Sequence, residues 1–366
     1  MTSIDPHPSP RFGLGALFLC FLLLLPVMLG CGALNSVIRP TVTPTASSTH
    51  TPSVTPTQTL TPTPTLTPTP TEIPPLCGGP RVMFILLIGS DHRNNNYNAG
   101  LADAIRLVRV DFVEPRVQLL AFPRDLYVEI PGIESHHGIT HGKLNQAYLY
   151  GNPGFAYFDG PSQGPGLLSL TLAHNFDVRS DHYVAVNLQT FSRIVDALGG
   201  IDIQLPYAID GRVKGSKDSN RYFPAGSQHL NGYRTMLLAR MRPQGDFQRV
   251  QAQNLVLRAI AEKLLSPGVI PRLPELIEAF RGSVQTDLGP VEIGQLACLA
   301  TMFDTQKIEF LSFPENLFTL SRVQDPILGN TSVYNADFEV MKLYVKEFEE
   351  GSWLKSEDEW DPGLEP

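Results

Sequence analysis

The tract "RPTVTPTASSTHTPSVTPTQTLTPTPTLTPTPTEIPP", Arg39 to Pro75, constrains everything around it. Proline at this density removes backbone donors and blocks helix and sheet interiors, and the tract has almost no apolar side chains to bury. It reads as an extended tether, open to O-glycosylation. At ~3.1 Å per residue of polyproline geometry it reaches roughly 110 Å. A folded domain must therefore lie to one side of it.

Upstream, a short polar start containing Arg11 precedes "FGLGALFLCFLLLLPVMLG", which ends at Cys31. This pattern reads as a secretory signal leading to a lipidation cysteine, with "VMLGC" an imperfect lipobox in which Leu29 is larger than usual. An uncleaved membrane anchor is the alternative, because the run is just long enough to span a bilayer. Either way the rest of the chain is expected to be extracytoplasmic and tied to the membrane. The expected organisation is a signal or anchor over 1–31, a linker over 32–76, a domain over 77–315 and an extension over 316–366. The acidic end "KSEDEWDPGLEP" is expected to fray.

Removing the signal leaves Cys77 and Cys298 in an oxidising compartment. A disulfide between them is favoured over two buried free thiols, and two isolated cysteines make a poor metal site. The formal net charge of -8, with no helix-turn-helix and no basic arm, argues against nucleic acid as a partner.

Past the linker, "RVMFILLIGSD" (81–91) is a continuous apolar run that predicts a central buried strand delivering Asp91 at its C-terminal end. "AIRLVRVDF" (104–112) and "RVQLLAFPRD" (116–125) predict an adjacent hairpin pair. Helical patterns run over 142–150, 164–176, 188–200, 230–241, 246–265 and 291–303, with strands at 181–188, 201–206 and 307–313. Strands alternating with helices predict an α/β fold, a mixed central β-sheet with helices on both faces.

Against the acidic balance, "LLARMRPQGDFQRVQAQN" (237–254) gathers Arg240, Arg242 and Arg249 around Asp246. Pro243 forces Arg242 into extended backbone, so Arg240 and Arg242, two apart, can aim at one target. Arg249 and Gln253 are four apart and share a helix face. Planar guanidinium forks match phosphate oxygens, which makes this a candidate diphosphate cage; a solvated helix face laced with charge pairs is the plain alternative.

Several motifs in order, "LLIGSDHR", "AD" before a strand, "PRDLYVEIPG", "KLNQAYLYG", "DHYVAVNLQTFSRIVDALGGID" and "LARMRPQGDFQRVQAQN", resemble the LytR-CpsA-Psr family of bacterial cell-envelope proteins from about Phe84 to Phe313. The resemblance implies an extracytoplasmic phosphotransferase, dependent on Mg2+ or Mn2+. Such an enzyme moves a glycan polymer from a polyprenyl diphosphate carrier onto peptidoglycan or another wall acceptor. It implies an apolar tunnel for the isoprenoid tail, Asp91 and Asp103 as metal-associated carboxylates, and Arg124, Arg240, Arg242 and Arg249 as diphosphate ligands. Carboxylates plus phosphate oxygens are also what Mg2+ ordinarily takes. Asp246 among arginines would be a poor base and is better suited to orienting them. Lys143 and Asn145 are read equally as glycan contacts or as local structure.

Two departures stand out. Leu101 and Ala252 occupy positions where the family usually has arginine, and Arg93 or Arg106 is the expected substitute for the first. A hydrolase with the same site, and a non-catalytic binder of lipid-linked glycan, remain the rival readings. Direct transcriptional attenuation, suggested by the family's older name, is disfavoured by the lack of a DNA-binding element. His136, His137 and His141 invite a zinc reading, but Gly138 and Gly142 predict a loop rather than the helix that such a pair needs. Leu167, Leu168, Leu172, Phe191, Ile194 and Leu198 are candidates for the tunnel wall, with ordinary core packing the simpler expectation for each.

Overall fold

Alternating burial along one strand sets the architecture. In the computed structural model, which describes residues 73–353 apart from 95, 214–215, 243–245 and 303, Leu86 and Ile88 face one side of a central sheet, and Met83 and Ile85 the other. Cys31, the signal or anchor expected over 1–31 and nearly all of the expected linker lie outside the described residues. Among the described residues no helix is long and apolar enough to cross a membrane.

The strands in chain order begin with β1 (Val82–Ser90), β2 (Ala102–Asp111), β3 (Arg116–Ala121), β4 (Tyr127–Glu129) and β5 (His141–Lys143). They continue with β6 (His182–Asn187), β7 (Ile201–Leu205), β8 (Ile209–Asp210), β9 (Tyr222–Phe223) and β10 (Gly226–Leu230). The last are β11 (Gln285–Thr286), β12 (Ile308–Ser312), β13 (Thr319–Asp325) and β14 (Gly329–Asn335). The helices are α1 (Leu144–Gly151), α2 (Gln163–Phe176), α3 (Leu188–Ala197) and α4 (Gly232–Arg240), then α5 (Asp246–Leu264), α6 (Leu273–Ala279), α7 (Pro290–Ala300) and α8 (Phe338–Glu350).

The central sheet has the order β11-β6-β1-β2-β3-β12. β1 pairs in parallel with β6 and antiparallel with β2, so the sheet is mixed as expected. Leu86, Ile88, Ile105, Leu107 and Leu120 bury one face with residues of α1, α2 and α8. The opposite face carries Met83, Ile85 and Val110 with Leu299 of α7, and Leu119 and Phe310 against Leu257 of α5. A third apolar cluster joins Ile201, Ile203 and Leu205 of β7 to Leu237, Leu238, Leu255 and Val256 of α4 and α5, outside the central sheet.

Two expectations need correction. The helix expected from residue 142 begins at Leu144, because His141–Lys143 pairs with β4 and Lys143 is extended at the helix cap. The boundary after residue 315 does not end the domain: β13 and β14 form a hairpin, and Met341, Val345 and Phe348 of α8, with Trp353, are buried in the main core. Their spacing of three to four is an amphipathic helix stripe that was readable in "FEVMKLYVKEFEE".

At the domain's start, Cys77 and Cys298 are joined in a disulfide that ties the segment before β1 to α7. Gln295 Nε2 donates to Gly78 O at 2.8 Å beside it.

Candidate active site

The site is built at the C-terminal ends of the parallel pair β1 and β6, where open α/β sheets leave a crevice. Regular alternation along β2 would send residue 103 to the same face as Ile105 and Leu107, into the apolar core. Instead the pairing shifts between Gly89, opposite Ala104, and Ser90, opposite Ala102, so that Asp103 is the extra residue of a bulge. Ala102 then joins the core, and Asp103 turns toward the crevice. Asp91 lies just past β1; its Oδ1 accepts from the Leu101 N–H at 2.8 Å, while its own N–H donates to Leu101 O at 3.0 Å. These two bonds close the loop between the strands at its base. Asp91 is therefore held by backbone hydrogen bonds, and Asp103 is aimed by the bulge.

Above the crevice, α3, α4 and α5 enclose an apolar cavity of about 230 Å³ against β1, β2 and β6. Leu87, Val186, Phe191, Ile194, Met236 and Leu257 are among the apolar side chains lining it. Of the six tunnel candidates from the sequence, Phe191 and Ile194 line this cavity; Leu167, Leu168 and Leu172 lie in the core on the other face of the sheet, and Leu198 is buried outside the lining. Gly89 and Ala104 face each other within the wall, and a Cβ on Gly89 would meet the Ala104 Cβ at 3.0 Å. The pair leaves room where larger residues would fill it.

Arg106, Arg249, Arg240, Gln253 and Asp103 give this cavity its charged margin. Arg106 sits opposite Leu87 on the cavity face of the sheet and is 1% exposed, and Arg249 on α5 is 3% exposed. Arg106 Nη2 donates weakly to Gln253 Oε1 (3.4 Å) and Val250 O (3.5 Å), and its Nε and Nη1 have no hydrogen-bond partner among the described residues. Burial, and then the neighbouring Arg249, pull its pKa down to about 10, so it keeps its proton at neutral pH under strain. Gln253 also donates to Ala239 O at 3.2 Å, which ties Arg106 to the end of α4. A buried cation with unused donors is a strong demand for an anion.

Arg240 closes α4, a position favoured for a cation by the helix dipole. It is exposed, and its Nη1 lies 3.9 Å from a sulfur, Met236 Sδ. The extended Met241 turns the chain so that Arg242 Nη2 approaches Asp103 Oδ2 at 3.9 Å. Asp103 is also ion-paired with Arg124 Nη1, and Arg124 Nε reaches Asp125 Oδ2 at 3.2 Å. Asp125 in turn holds Lys143 Nζ at 3.0 Å. Arg124 thus serves both the expected site and the pairing with Asp125 that a purely structural arginine would make.

The structure brings Asp103, Arg106, Arg124, Arg240, Arg242, Arg249 and Gln253 to one end of the cavity, with Asp91 at the adjoining strand end. It does not bring Arg93, which is exposed and outside the cavity lining. Asp246 opens α5, but its side chain lies outside what is described. Ala252 is buried and does not line the cavity. Lys143 caps α1, its N–H taken by Gln146 Oε1 at 2.6 Å, and the Asn145 N–H donates to Arg124 O at 3.0 Å, so both fasten the arginine's segment. The histidines separate: His136 stacks on Tyr157 at 4.4 Å and His141 on Tyr127 at 5.6 Å. No group of three or more metal-binding side chains occurs among the described residues, which leaves the zinc reading without support.

Sequence reasoning missed Ser90 and Asn187, paired across β1 and β6 and both lining the cavity. Asn187 accepts from the Thr190 N–H at 2.8 Å and so caps α3, a role that "VNLQT" could have signalled.

Comparison with known proteins identifies the family and the fold. The chain is 27% identical over 231 residues to the polyisoprenyl-teichoic acid–peptidoglycan teichoic acid transferase TagV of Bacillus subtilis (strain 168), covering 62% of this chain and 55% of that protein. It is 28% identical over 208 residues to the regulatory protein MsrR of Staphylococcus aureus (strain COL), covering 56% of each. The chain thus spans little more than half the length of these relatives. The crystal structure of B. subtilis TagV superposes with a TM-score of 0.56 at 25% identity, over 73% of this chain and 96% of that one. The LytR_cpsA_psr family model matches residues 79–348, through β13, β14 and most of α8, and the chain belongs to that family.

Proposed function

We propose that this protein transfers a glycan polymer from a polyprenyl diphosphate carrier to a cell-wall glycan, outside the cytoplasm and tethered to the membrane. The observation that carries the reading is the joining of an apolar cavity to a margin of buried and exposed arginines. An isoprenoid tail and a diphosphate require that combination in one ligand, and few other ligands do. The names of the transferase relatives support the same class of reaction.

In the proposed step an acceptor hydroxyl oxygen attacks the sugar-linked phosphorus. One P–O bond forms, the bond to the bridging oxygen breaks, polyprenyl phosphate leaves, and the acceptor proton passes to solvent. Arg106 and Arg249 hold non-bridging oxygens from the buried side, and Arg240 and Arg242 from the open side, where charge accumulates in the transition state. Arg124 and Lys143 keep Asp103 and Asp125 in register below. Asp246 is assigned to orienting the arginines that flank it.

Asp91 and Asp103 fit a hard divalent cation in donor type, since Mg2+ takes one or two carboxylates and completes its shell with water and phosphate. When bound, such an ion would neutralise charge on the diphosphate. Arg106, on the cavity face two residues beyond Ala104, supplies the guanidinium missing at Leu101, whose backbone is used instead to hold Asp91.

The test is turnover of a synthetic polyprenyl diphosphate saccharide by the full chain in detergent, with and without Mg2+, the lipid products being identified by mass spectrometry. Release of polyprenyl monophosphate that requires a glycan acceptor supports the transferase; release with water alone makes it a hydrolase. Tight lipid binding without turnover would leave only the non-catalytic binder, the reading that Leu101 and Ala252 favour.

A further inference from the structure

Helix α5 separates two unlike spaces. Arg249, Gln253, Val256 and Ile260 recur at spacings of three and four and line the apolar cavity. Phe247, Gln248 and Gln251 follow the same spacing on the opposite face, and with Tyr207 and Glu315 they line a second cavity of about 460 Å³.

The chemistry of this second wall differs from that of the first. Among the described residues it has two aromatic rings, two amides and one carboxylate, and no arginine or lysine. The side chains of Gln251 and Glu315 make no hydrogen bond or ion pair among the described residues, and Gln248 Oε1 is buried without a partner. Amides both donate and accept, a carboxylate accepts from two neighbouring hydroxyls, and ring faces cover C–H surfaces. A phosphate would meet an uncompensated carboxylate there, and an isoprenoid would bury polar groups without partners. A polyhydroxylated, uncharged ring satisfies all three kinds of group at once.

The cavity is also placed to serve the reaction. Phe247 packs on Phe318 at 5.7 Å and on Tyr334 at 5.8 Å between ring centroids. The Tyr334 N–H donates to Asp125 O at 2.9 Å, and Asp125 is the partner of Arg124, which holds Asp103. The aromatic wall of the second cavity is therefore joined, through Tyr334 and Asp125, to the arginine that holds Asp103.

We infer that the second cavity binds a saccharide. This inference rests on the proposed transfer reaction only for which saccharide enters, the glycan on the carrier or the glycan that accepts it. The experiment has two parts, both on the full chain in detergent. The first titrates chitotetraose and a soluble uncrosslinked wall-glycan strand, followed by saturation-transfer NMR, against the wild type, Gln251→Ala and the milder Glu315→Gln.

The second part measures polyprenyl monophosphate release while the saccharide-bearing donor and the glycan acceptor are varied separately. A rise of about tenfold in acceptor KM in both variants, with donor KM and kcat unchanged, assigns the cavity to the acceptor. The same rise in donor KM alone assigns it to the carrier's glycan. Saccharide contacts absent from the wild type, or unchanged in both variants along with both KM values, would overturn the inference. Contacts that are present and lost in the variants, with no release by any protein, would uphold the saccharide site and reject the transferase instead.

Discussion

The two arginine pairs around the cavity stand under opposite conditions. Arg106 and Arg249 are almost fully buried on a central strand and in the middle of a long helix. Arg240 and Arg242 stand at and just beyond the last turn of α4, the first exposed and the second with 38% of its side chain accessible. Burying a cation costs stability until an anion arrives, whereas an exposed one costs little and gains little per contact. In the proposed reaction the inner pair would fix the diphosphate once it is seated, and the outer pair would attract it and follow it through the reaction.

If this division holds, Arg106→Met should lower turnover of a polyprenyl diphosphate saccharide by about 10²–10³-fold, the scale seen when one preorganised donor to developing charge is removed. Arg240→Ala, tested in the same assay, should lose only about 3- to 10-fold, because water can replace an exposed cation. Equal losses would dissolve the distinction between the pairs.

Stability should move the other way. In the folded protein burial pulls the pKa of Arg106 down from its ordinary value to about 10, so its protonated form is disfavoured by folding. That penalty is fully present at pH 7 and is relieved only as pH rises through about 10. Urea unfolding at pH 7 should show Arg106→Met more stable than the ligand-free wild type by about 1–3 kcal/mol, with Arg240→Ala within about 0.5 kcal/mol. A destabilised Arg106→Met would mean that its contacts to Val250 and Gln253 outweigh the cost of its burial.

The smallest effect concerns salt. The association rate of a soluble short-chain prenyl diphosphate should fall as NaCl rises from 50 to 200 mM in the wild type, and less steeply in an Arg240→Ala, Arg242→Ala double variant. Arg106→Met should keep the wild-type slope while its dissociation rate increases.

How much of this could be read beforehand depended on the kind of signal. Continuous apolar runs placed β1, β2, β3 and β12, and helical spacing placed Arg249 and Gln253 on one face, because both are local regularities. The bulge at Asp103 is not local: it appears only when β1 and β2 are laid side by side and the pairing slips by one residue. Arg106 was one of two possible substitutes for the arginine missing at Leu101, and only the cross-strand position opposite Leu87 separates it from Arg93. The end of the domain was set too early because Met341, Val345 and Phe348 lie behind an irregular hairpin, although their helical spacing was plain. Glu315 and Gln251 are far apart in the chain, and no pattern in either segment joins them into one cavity wall.

The link between Cys77 and Cys298 also has a mechanical meaning. A tension applied to the chain ahead of the domain reaches Leu76, whose N–H is bonded to Phe112 O at 2.7 Å, and then the covalent bridge to α7. Load is thus diverted into a helix and a turn before it arrives at β1, an interior strand with a neighbour on either side. The strand that leads to Asp91 is spared from being peeled out of the sheet, so a pull on that chain strains the domain without first dismantling the place where its two carboxylates stand.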